Sequence, residues 1–242
     1  MESITLDDST KQSVVKDIGD FLQPSFAQMC QKNGIPWRRG YLLHGPPGTG
    51  KTSFVKAIAA YFQLDVYILS LQDSEMDDTE LQNIFMTLPQ KSIVLVEELD
   101  RISVARRKSK EVSFVQNGLE QNDVKFSLCG LLSSLDGFAT AEGYILIVTS
   151  NRPELLDETL TRPGRIDRKI EFKLSTKASA MKMFVKIYEG KQANVHMLAK
   201  RFGDLIPDNK LSLARIQEFL LASNPEDAIT RASVHNSNCE DG

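Results

Sequence analysis

Short apolar runs alternate with amphipathic segments along the first 175 residues. Five of these runs have the length and apolarity of buried strands: YLLH at 41–44, DVYILSL at 65–71, SIVLVE at 92–97, YILIVTS at 144–150 and KIEFKL at 169–174. The segments between them carry apolar side chains at helical spacing, for example at Val55, Ile58 and Phe62. Apolar strands that alternate with helices predict an α/β fold with a mostly parallel sheet, flanked by helices on both faces.

Helical periodicity also marks both ends of the chain and the long connection between the third and fourth strands. Ser9 and Gln12 form a capping-box pattern ahead of an apolar stripe that stops near Pro24, which predicts an amphipathic helix there. A leucine-rich segment near 126–135 predicts another helix. From about residue 176, three short helical patterns follow one another without a strand: Met181 to Tyr188, Val195 to Phe202 and Ile216 to Leu220.

These patterns predict three parts of the chain. Residues 1–175 form a large α/β subdomain, and residues 176–225 form a small helical subdomain. Residues 226–242 are rich in polar and small side chains, so we expect a disordered tail.

The composition is that of a globular protein and shows no sign of a membrane-spanning or nucleic-acid-binding chain. The 242 residues are 41% hydrophobic and 25% charged, which is ordinary for a globular protein in water, and no apolar run reaches the roughly 18 to 20 residues of a membrane helix. We therefore expect a soluble chain that meets a membrane only through segments outside these residues. The net charge of -3 gives no sign of a nucleic-acid partner. Cys30, Cys129 and Cys239 fit no disulfide or metal spacing and favour a structural role.

A glycine-rich segment, GPPGTGKT, lies between the first predicted strand and the helix after it. It matches the phosphate-loop pattern in the strand-to-helix context that this pattern requires. The predicted nucleotide-binding residues are Gly45, Pro46, Pro47, Gly48, Thr49, Gly50, Lys51 and Thr52. Backbone N–H groups and the helix N-terminus would hold phosphates, Lys51 would reach the terminal phosphates, and Thr52 would ligate Mg²⁺. A glycine-rich turn without a ligand is the alternative.

The third strand ends in two adjacent carboxylates, Glu97 and Glu98, which repel each other. In a nucleotide-binding sheet the carboxyl end of such a strand lies beside the phosphate loop, where a divalent cation stabilises paired carboxylates. We therefore assign Glu97 to the Mg²⁺ shell through water, and Glu98 to orienting and activating the attacking water. A buried strand that simply ends at the surface is the alternative interpretation.

Three segments resemble the AAA ATPase superfamily: GPPGTGKT with its paired prolines, YILIVTSN at 144–151 and LDETLTRPGRIDRKIEF at 156–172. The resemblance implies a P-loop NTPase (AAA) fold with a helical lid, and Mg²⁺-dependent ATP hydrolysis in a homo-oligomeric ring that moves or remodels a protein. By this match Asn151 is the polar sensor, and Arg162 and Arg165 are arginine fingers that complete a neighbour's site. Asn151 could also cap the helix near Pro153, and the two arginines could be surface charges in a turn.

Within the superfamily, the phrases GIPWRRGYLLHGPPGTGKTSF, GLLSSLDG and TLTRPGRID resemble the mitochondrial inner-membrane chaperone family that translocates the Rieske protein in respiratory complex III assembly. The resemblance implies a protein substrate and an anchored parent protein in the mitochondrial inner membrane. The Glu97-Glu98 pair departs both from the Asp-Glu of most AAA proteins and from the Glu-Asp of this family. That departure motivates a second hypothesis, a nucleotide-gated assembly scaffold with little hydrolysis.

Other features favour weaker hypotheses. The basic segment ARRKSK at 105–110 would suit a clamp-loader-like nucleic-acid machine, but it lacks interleaved aromatic residues, so a solvated loop is the preferred interpretation and no nucleic acid is expected. The loop SLQDSEMDD at 70–78 has no aromatic residue, so we do not expect it to grip a substrate as an aromatic pore loop does. His44 is interpreted as a strand-end residue rather than a catalytic base. A small-molecule kinase shares the phosphate loop, but the C-terminal helices suit a ring ATPase better.

Overall fold

The structure, a computed structural model, describes residues 6–69, 77–100, 141–162, 164–190, 194–221 and 224–240. The predicted helix at 126–135, the basic segment at 105–110 and most of the loop at 70–78 lie outside the described residues, as do the side chains of Cys129 and Cys239. Within the described ranges, no helix combines the length and apolarity needed to cross a bilayer.

Helices and strands alternate through the first part of the chain, and helices alone follow. In chain order the elements are α1 (Asp8–Phe21), α2 (Pro24–Asn33), β1 (Arg39–His44), α3 (Lys51–Phe62), β2 (Asp65–Leu69), α4 (Asp78–Thr87), β3 (Ser92–Val96), β4 (Ile145–Ser150), two 3₁₀ helices (Pro153–Leu155 and Glu158–Thr161), β5 (Arg168–Glu171), α5 (Lys177–Tyr188), α6 (Val195–Asp204), α7 (Leu213–Leu220) and α8 (Pro225–Glu240). The strands form one parallel sheet in the order β2-β3-β4-β1-β5, which confirms the predicted α/β fold.

The chain divides into two compact units. One unit contains Asp8–His44 and Val55–Glu171, and therefore the whole sheet. The other contains Gly45–Phe54 and Phe172–Gly242, so the phosphate loop belongs to the same unit as the C-terminal helices. A boundary at residue 175 alone does not describe this division, because the loop lies more than a hundred residues before the lid in sequence yet contacts it, as described below.

The sheet is buried at its centre, where β3 and β4 lie side by side. Every side chain of these two strands is buried. Alternate positions point to one face because side chains in a strand have a period of two. On that face Val94, Val96 and Leu146 belong to a buried cluster that also contains Leu81 and Phe85 of α4. This packing places the carboxyl ends of β3 and β4 at one edge of the sheet, in register through Val96 and Val148.

A charged cluster holds α1 against the edge of the sheet. The Asp17 carboxylate of α1 accepts hydrogen bonds from Arg39 (2.9 Å) and from the Tyr41 hydroxyl, and forms an ion pair with Arg168 of β5 (3.5 Å). Burial raises the pKa of Tyr41, and the hydrogen bond to Asp17 and its charge raise it further, while Arg39 and Arg168 lower it. The folded protein therefore favours the neutral phenol.

Replacing Tyr41 with phenylalanine tests this cluster through the pH dependence of stability. The variant is expected to lose about 1–2 kcal/mol of unfolding free energy near neutral pH, because a hydrogen bond to a carboxylate is lost. Because the folded pKa lies above the unfolded value, this stabilisation is present below about pH 10 and declines as the pH rises further, so the difference from wild type should shrink there. Urea unfolding at about pH 8 and about pH 10.5 measures both values. Tyr61→Phe, at a side chain that is 64% exposed, is the control, and a pH-independent difference would contradict the prediction.

The N-terminal helices differ from the prediction in two details. Helix α1 begins at Asp8, so Ser9 lies inside the helix rather than at its N-cap. A separate helix, α2, follows at once and was not predicted. It begins at Pro24, a residue tolerated in the first turn because the first N–H groups of a helix have no intrahelical partner. It ends at Asn33 and is followed by a C-cap residue, Gly34, in the left-handed conformation (φ 64°).

The C-terminal helices form their own apolar core. Helix α5 begins with a capping box formed by Thr176 and Ser179, and the buried ring of Phe184 contacts the rings of Tyr188 and Phe202. The disordered tail expected from residue 226 is instead a helix, α8. Three of its apolar side chains lie on one helical face and are buried in this core: Ala228, Ile229 and Ala232. Two of them are small alanines with polar residues around them, and this weakened the periodic signal.

Candidate functional site

The phosphate loop begins at the residue after β1 and ends in the first turn of α3. Gly45, Gly48 and Gly50 have φ angles of 137°, 73° and 97°, which other residues rarely adopt. A Cβ atom on Gly45 would lie 2.0 Å from the carbonyl oxygen of Phe172. Gly45 and Gly50 therefore need to be glycine for different reasons, the first for space and backbone angle and the second mainly for backbone angle.

Side chains inside the loop hold its shape. The Lys51 ammonium group donates to the carbonyl oxygens of Gly45 (2.7 Å) and Pro46 (2.9 Å), and only 9% of Lys51 is exposed. The fully buried Thr49 donates from its hydroxyl to the same Pro46 carbonyl at 2.8 Å. Lys51 is also the first residue of α3, so the ammonium group and the positive end of the helix dipole lie together. The loop is suited to an anion of high charge.

The N-terminus of α7 contacts the loop directly. The backbone N–H of Ala214 donates to the carbonyl oxygen of Gly48 at 2.9 Å. A Cβ on Gly48 would lie 3.1 Å from both the Ala214 Cβ and the Ser212 hydroxyl, and one on Gly50 would lie 3.2 Å from Leu213. These contacts explain why the loop and the C-terminal helices form one unit. They were not predictable from the sequence, because no local pattern links residue 48 to residue 214.

The two carboxylates follow β3, and both are half-buried. Glu98 has a φ angle of 51°, an unfavourable left-handed conformation for a residue with a side chain. Its N–H donates to the hydroxyl of Thr149 on β4 at 3.0 Å. Such strain persists only where the surroundings maintain it, and it occurs often at functional sites. Thr149 was not among the residues predicted from the sequence, although its polar side chain near the end of an apolar strand was a signal.

A second contact joins the ends of the same two strands. Asp100 is only 5% exposed, and its carboxylate accepts the N–H of Asn151 at 3.0 Å. This bond joins Asn151, the residue after β4, to the segment that follows β3. It does not cap the 3₁₀ helix at Pro153–Leu155, whose N-cap is Arg152 and which has no side-chain cap. The capping interpretation of Asn151 is therefore wrong.

The two predicted arginine fingers lie together in the turn before β5. Arg162 is exposed, whereas Arg165 is half-buried and donates from its guanidinium to the carbonyl oxygen of Thr159 at 2.7 Å. Asp157 is near both. Hydrogen bonds from the Thr159 hydroxyl and N–H lower the pKa of this carboxyl, and the charges of Arg162 and Arg165 lower it further.

Two family models match consecutive parts of the chain. The model of the ATPase family associated with various cellular activities (AAA) matches residues 41–174, more than half of the 242-residue chain. The chain belongs to this AAA family. A second model, for the mitochondrial chaperone BCS1-like ATPase lid domain, matches residues 177–233. The two matches confirm the predicted AAA fold and its C-terminal lid.

Named AAA relatives match nearly the whole chain. It is 38% identical over 231 residues to the probable mitochondrial chaperone BCS1-A of Dictyostelium discoideum. The matched region covers 95% of this chain and 53% of that protein. It is 36% identical over 234 residues to the probable mitochondrial chaperone bcs1 of Schizosaccharomyces pombe (96% and 49%), and 34% identical over 236 residues to the human mitochondrial chaperone BCS1 (96% and 54%). The chain spans about half the length of the relatives it matches.

The residues of this AAA site fit a nucleotide with Mg²⁺. Gly48 and Gly50 leave backbone in the loop without side chains, and the hydroxyl of Thr52 is an oxygen donor of the kind that Mg²⁺ prefers. In the part of the chain that the structure describes, no three His, Cys, Asp or Glu side chains could hold a metal by themselves. Mg²⁺ at nucleotide sites takes one or two protein ligands and completes its shell with phosphate oxygens and water.

Proposed function

We propose that this chain is the ATP-hydrolysing module of a chaperone-type AAA protein. The observation that carries the proposal is the phosphate loop, in which the left-handed glycines and the Lys51 ammonium group precede the N-terminus of α3. Backbone N–H groups of the loop and of the first turn of α3 would bind the phosphates. Lys51 would exchange its bonds to the Gly45 and Pro46 carbonyls for the terminal phosphate oxygens.

The two carboxylates take separate roles in this proposal. Thr52 and Glu97 would hold Mg²⁺, which supplies neutralisation of the phosphate charge when bound. Glu98 would orient the attacking water and accept its proton. The bond from the Glu98 N–H to Thr149 supports this role, because a general base must be held within hydrogen-bond reach of the water. Asn151, held at its N–H by Asp100, would help to place the same water.

A ring of identical subunits completes the proposed site. Arg162 and Arg165 would serve a neighbouring subunit, where a positive charge stabilises the transition state of phosphoryl transfer. The names of the relatives, mitochondrial chaperones, support a protein substrate and a mitochondrial location. We propose that turnover in the ring drives translocation or remodelling of that protein, of the complex III assembly type, with attachment to the inner membrane supplied by segments outside this chain.

Phosphate release from ATP by the purified chain tests the proposal. We expect release that requires Mg²⁺, together with a higher mass by light scattering when a non-hydrolysable ATP analogue is present. Binding of ATP without release above background would support the nucleotide-gated scaffold instead. Absence of both binding and release would refute the proposal.

Substitution of Thr149 measures how much the position of Glu98 matters. Thr149→Val removes the acceptor of the Glu98 N–H while it keeps the shape of the side chain. We expect kcat to fall about tenfold, since small displacements of a catalytic group have effects of this size, with little change in nucleotide affinity. Thr149→Ser keeps the hydroxyl and should restore most of the rate. Steady-state kinetics give kcat for both variants. Equal kcat values for Thr149→Val and Thr149→Ser would contradict the prediction.

A further inference from the structure

The turn that carries Arg162 and Arg165 is fixed to the sheet by one aspartate. One carboxylate oxygen of Asp167 accepts the N–H of Gly40 at 3.0 Å, and the other accepts the N–H of Gly164 at 3.0 Å. The backbone N–H of Asp167 donates in turn to the carbonyl oxygen of Gly40 at 2.9 Å. Asp167 therefore makes two hydrogen bonds to Gly40 of the first strand and one to Gly164 within the turn, and so joins the two.

The hydrogen bonds of Asp167 to Gly40 and Gly164 are called the Asp167 clamp below. Gly40 also contacts the turn directly through its backbone. A Cβ atom on Gly40 would lie 1.7 Å from the carbonyl oxygen of Arg165 and 2.9 Å from the Cα of Ile166, so the turn rests directly on the backbone of β1. Gly40 is paired with Leu146 of β4, in the centre of the sheet. The backbone of the turn is thus held against a strand that is paired on both sides, with β4 and with β5.

The arginines depend on this backbone for their position. Arg162 is exposed, and its carbonyl oxygen accepts the Arg165 N–H at 3.1 Å inside the same turn. Arg165 has the further bond to Thr159. A flexible arginine that stabilises a transition state must be held within a small range of positions to act efficiently. Placement of the backbone is what the Asp167 clamp supplies.

We propose that Asp167 is a positioning residue for Arg162 and Arg165, and so acts on the active site of the neighbouring subunit rather than on its own. This inference rests on the proposed function, in which the two arginines complete a site in trans. Asp167→Asn keeps one acceptor oxygen but turns an amide NH₂ toward one of two N–H groups. The bond to either Gly40 or Gly164 is therefore lost.

The expected kinetic result separates positioning from nucleotide binding. For Asp167→Asn, kcat for ATP should fall about tenfold, while the affinity for a fluorescent ADP analogue stays within about twofold of wild type, because the variant's own phosphate loop is unchanged. Asp227→Asn is the matched control, since Asp227 accepts a side-chain hydrogen bond from Asn224 at the exposed start of α8, far along the chain from the turn.

Mixing of subunits provides the decisive test. Lys51→Ala subunits have a disabled phosphate loop but intact arginines, whereas Asp167→Asn subunits have an intact loop and misplaced arginines. A ring assembled from equal amounts should recover up to about a quarter of the wild-type rate, since half of the sites are intact and half of those have a neighbour with well-placed arginines. The mixture should exceed either variant assayed alone.

Each outcome of the mixing experiment has one meaning. If wild type releases no phosphate, the proposed function is wrong and the inference with it. If wild type is active but Asp167→Asn keeps the full rate, or the mixture shows no recovery, Asp167 does not act through the neighbour and only the inference is overturned. Should Asp167→Asn fail to fold, Gly40→Ala displaces the same turn through its added Cβ and is mixed with Lys51→Ala in its place. Recovery of ATP turnover then supports the inference, and absence of recovery overturns it.

Discussion

Lys51→Ala is expected to lower ATP turnover at least about a hundredfold, the size of effect seen when a single group that stabilises transition-state charge is removed. The Lys51 ammonium group lies in the phosphate loop, bound to the Gly45 and Pro46 carbonyls, and it is the positive charge that the loop places at the start of α3. Without it the loop keeps its N–H groups but loses its charge. Nucleotide affinity should therefore fall as well as kcat.

Phosphate release and binding of a fluorescent ATP analogue measure the two effects of Lys51→Ala. Lys56→Ala is the matched control, because Lys56 lies on the same helix with an exposed side chain. A thermal melt accompanies the assay, since the Gly45 and Pro46 carbonyls lose a donor and the loop could become less stable. Turnover by Lys51→Ala equal to that of wild type would refute the assignment of the loop.

Glu98→Gln is expected to leave ATP binding intact and to lower kcat by about a hundredfold to ten-thousandfold, the range over which a general base contributes to catalysis. Glutamine has the shape of glutamate but cannot accept the proton of the attacking water. The backbone contacts that hold position 98, including the bond from its N–H to Thr149, do not involve the carboxylate and should persist. The variant should therefore accumulate with bound ATP.

Single-turnover phosphate release and the mass of the ATP-bound protein measure this second effect. Glu80→Gln is the control, at an exposed glutamate in the first turn of α4. Turnover by Glu98→Gln within about threefold of wild type would show that Glu98 is not the base. Glu97, the first carboxylate of the pair, would then be the next residue to test.

Much of the fold could be predicted because its signals are local. The five strands are almost continuous apolar runs, and their parallel arrangement followed from the helices between them. The lid helices α5, α6 and α7 each have an apolar stripe at helical spacing. Helix α8 was missed because its buried side chains at positions 228, 229 and 232 are few and mostly small. Helix α2 was missed because only one of its side chains, Cys30, is buried.

For the candidate site, as for the fold, the sequence predicted the residues that have a local signal. The phosphate-loop pattern has a fixed spacing, so the sequence predicted Gly45 to Thr52 as nucleotide-binding residues, and it singled out the carboxylate pair because this pair interrupts an apolar strand. Thr149, Asp100 and Asp167 were not found, although each accepts the backbone N–H of a predicted site residue or of its neighbour in the chain. Their partners lie 51, 51 and 3 residues away, and even the last contact depends on the shape of a turn.

The sequence by itself therefore determined the class of fold, the identity of the phosphate loop and the family to which the chain belongs, because these depend on residue types at short, fixed spacings. The tertiary structure alone decided how the site residues are held. It placed the N–H of Glu98 on Thr149, joined the lid to Gly48 through Ala214, and fixed the arginine turn to β1 through Asp167. Hydrogen bonds between distant residues are set by how strands and helices pack, and packing has no local signature in the chain.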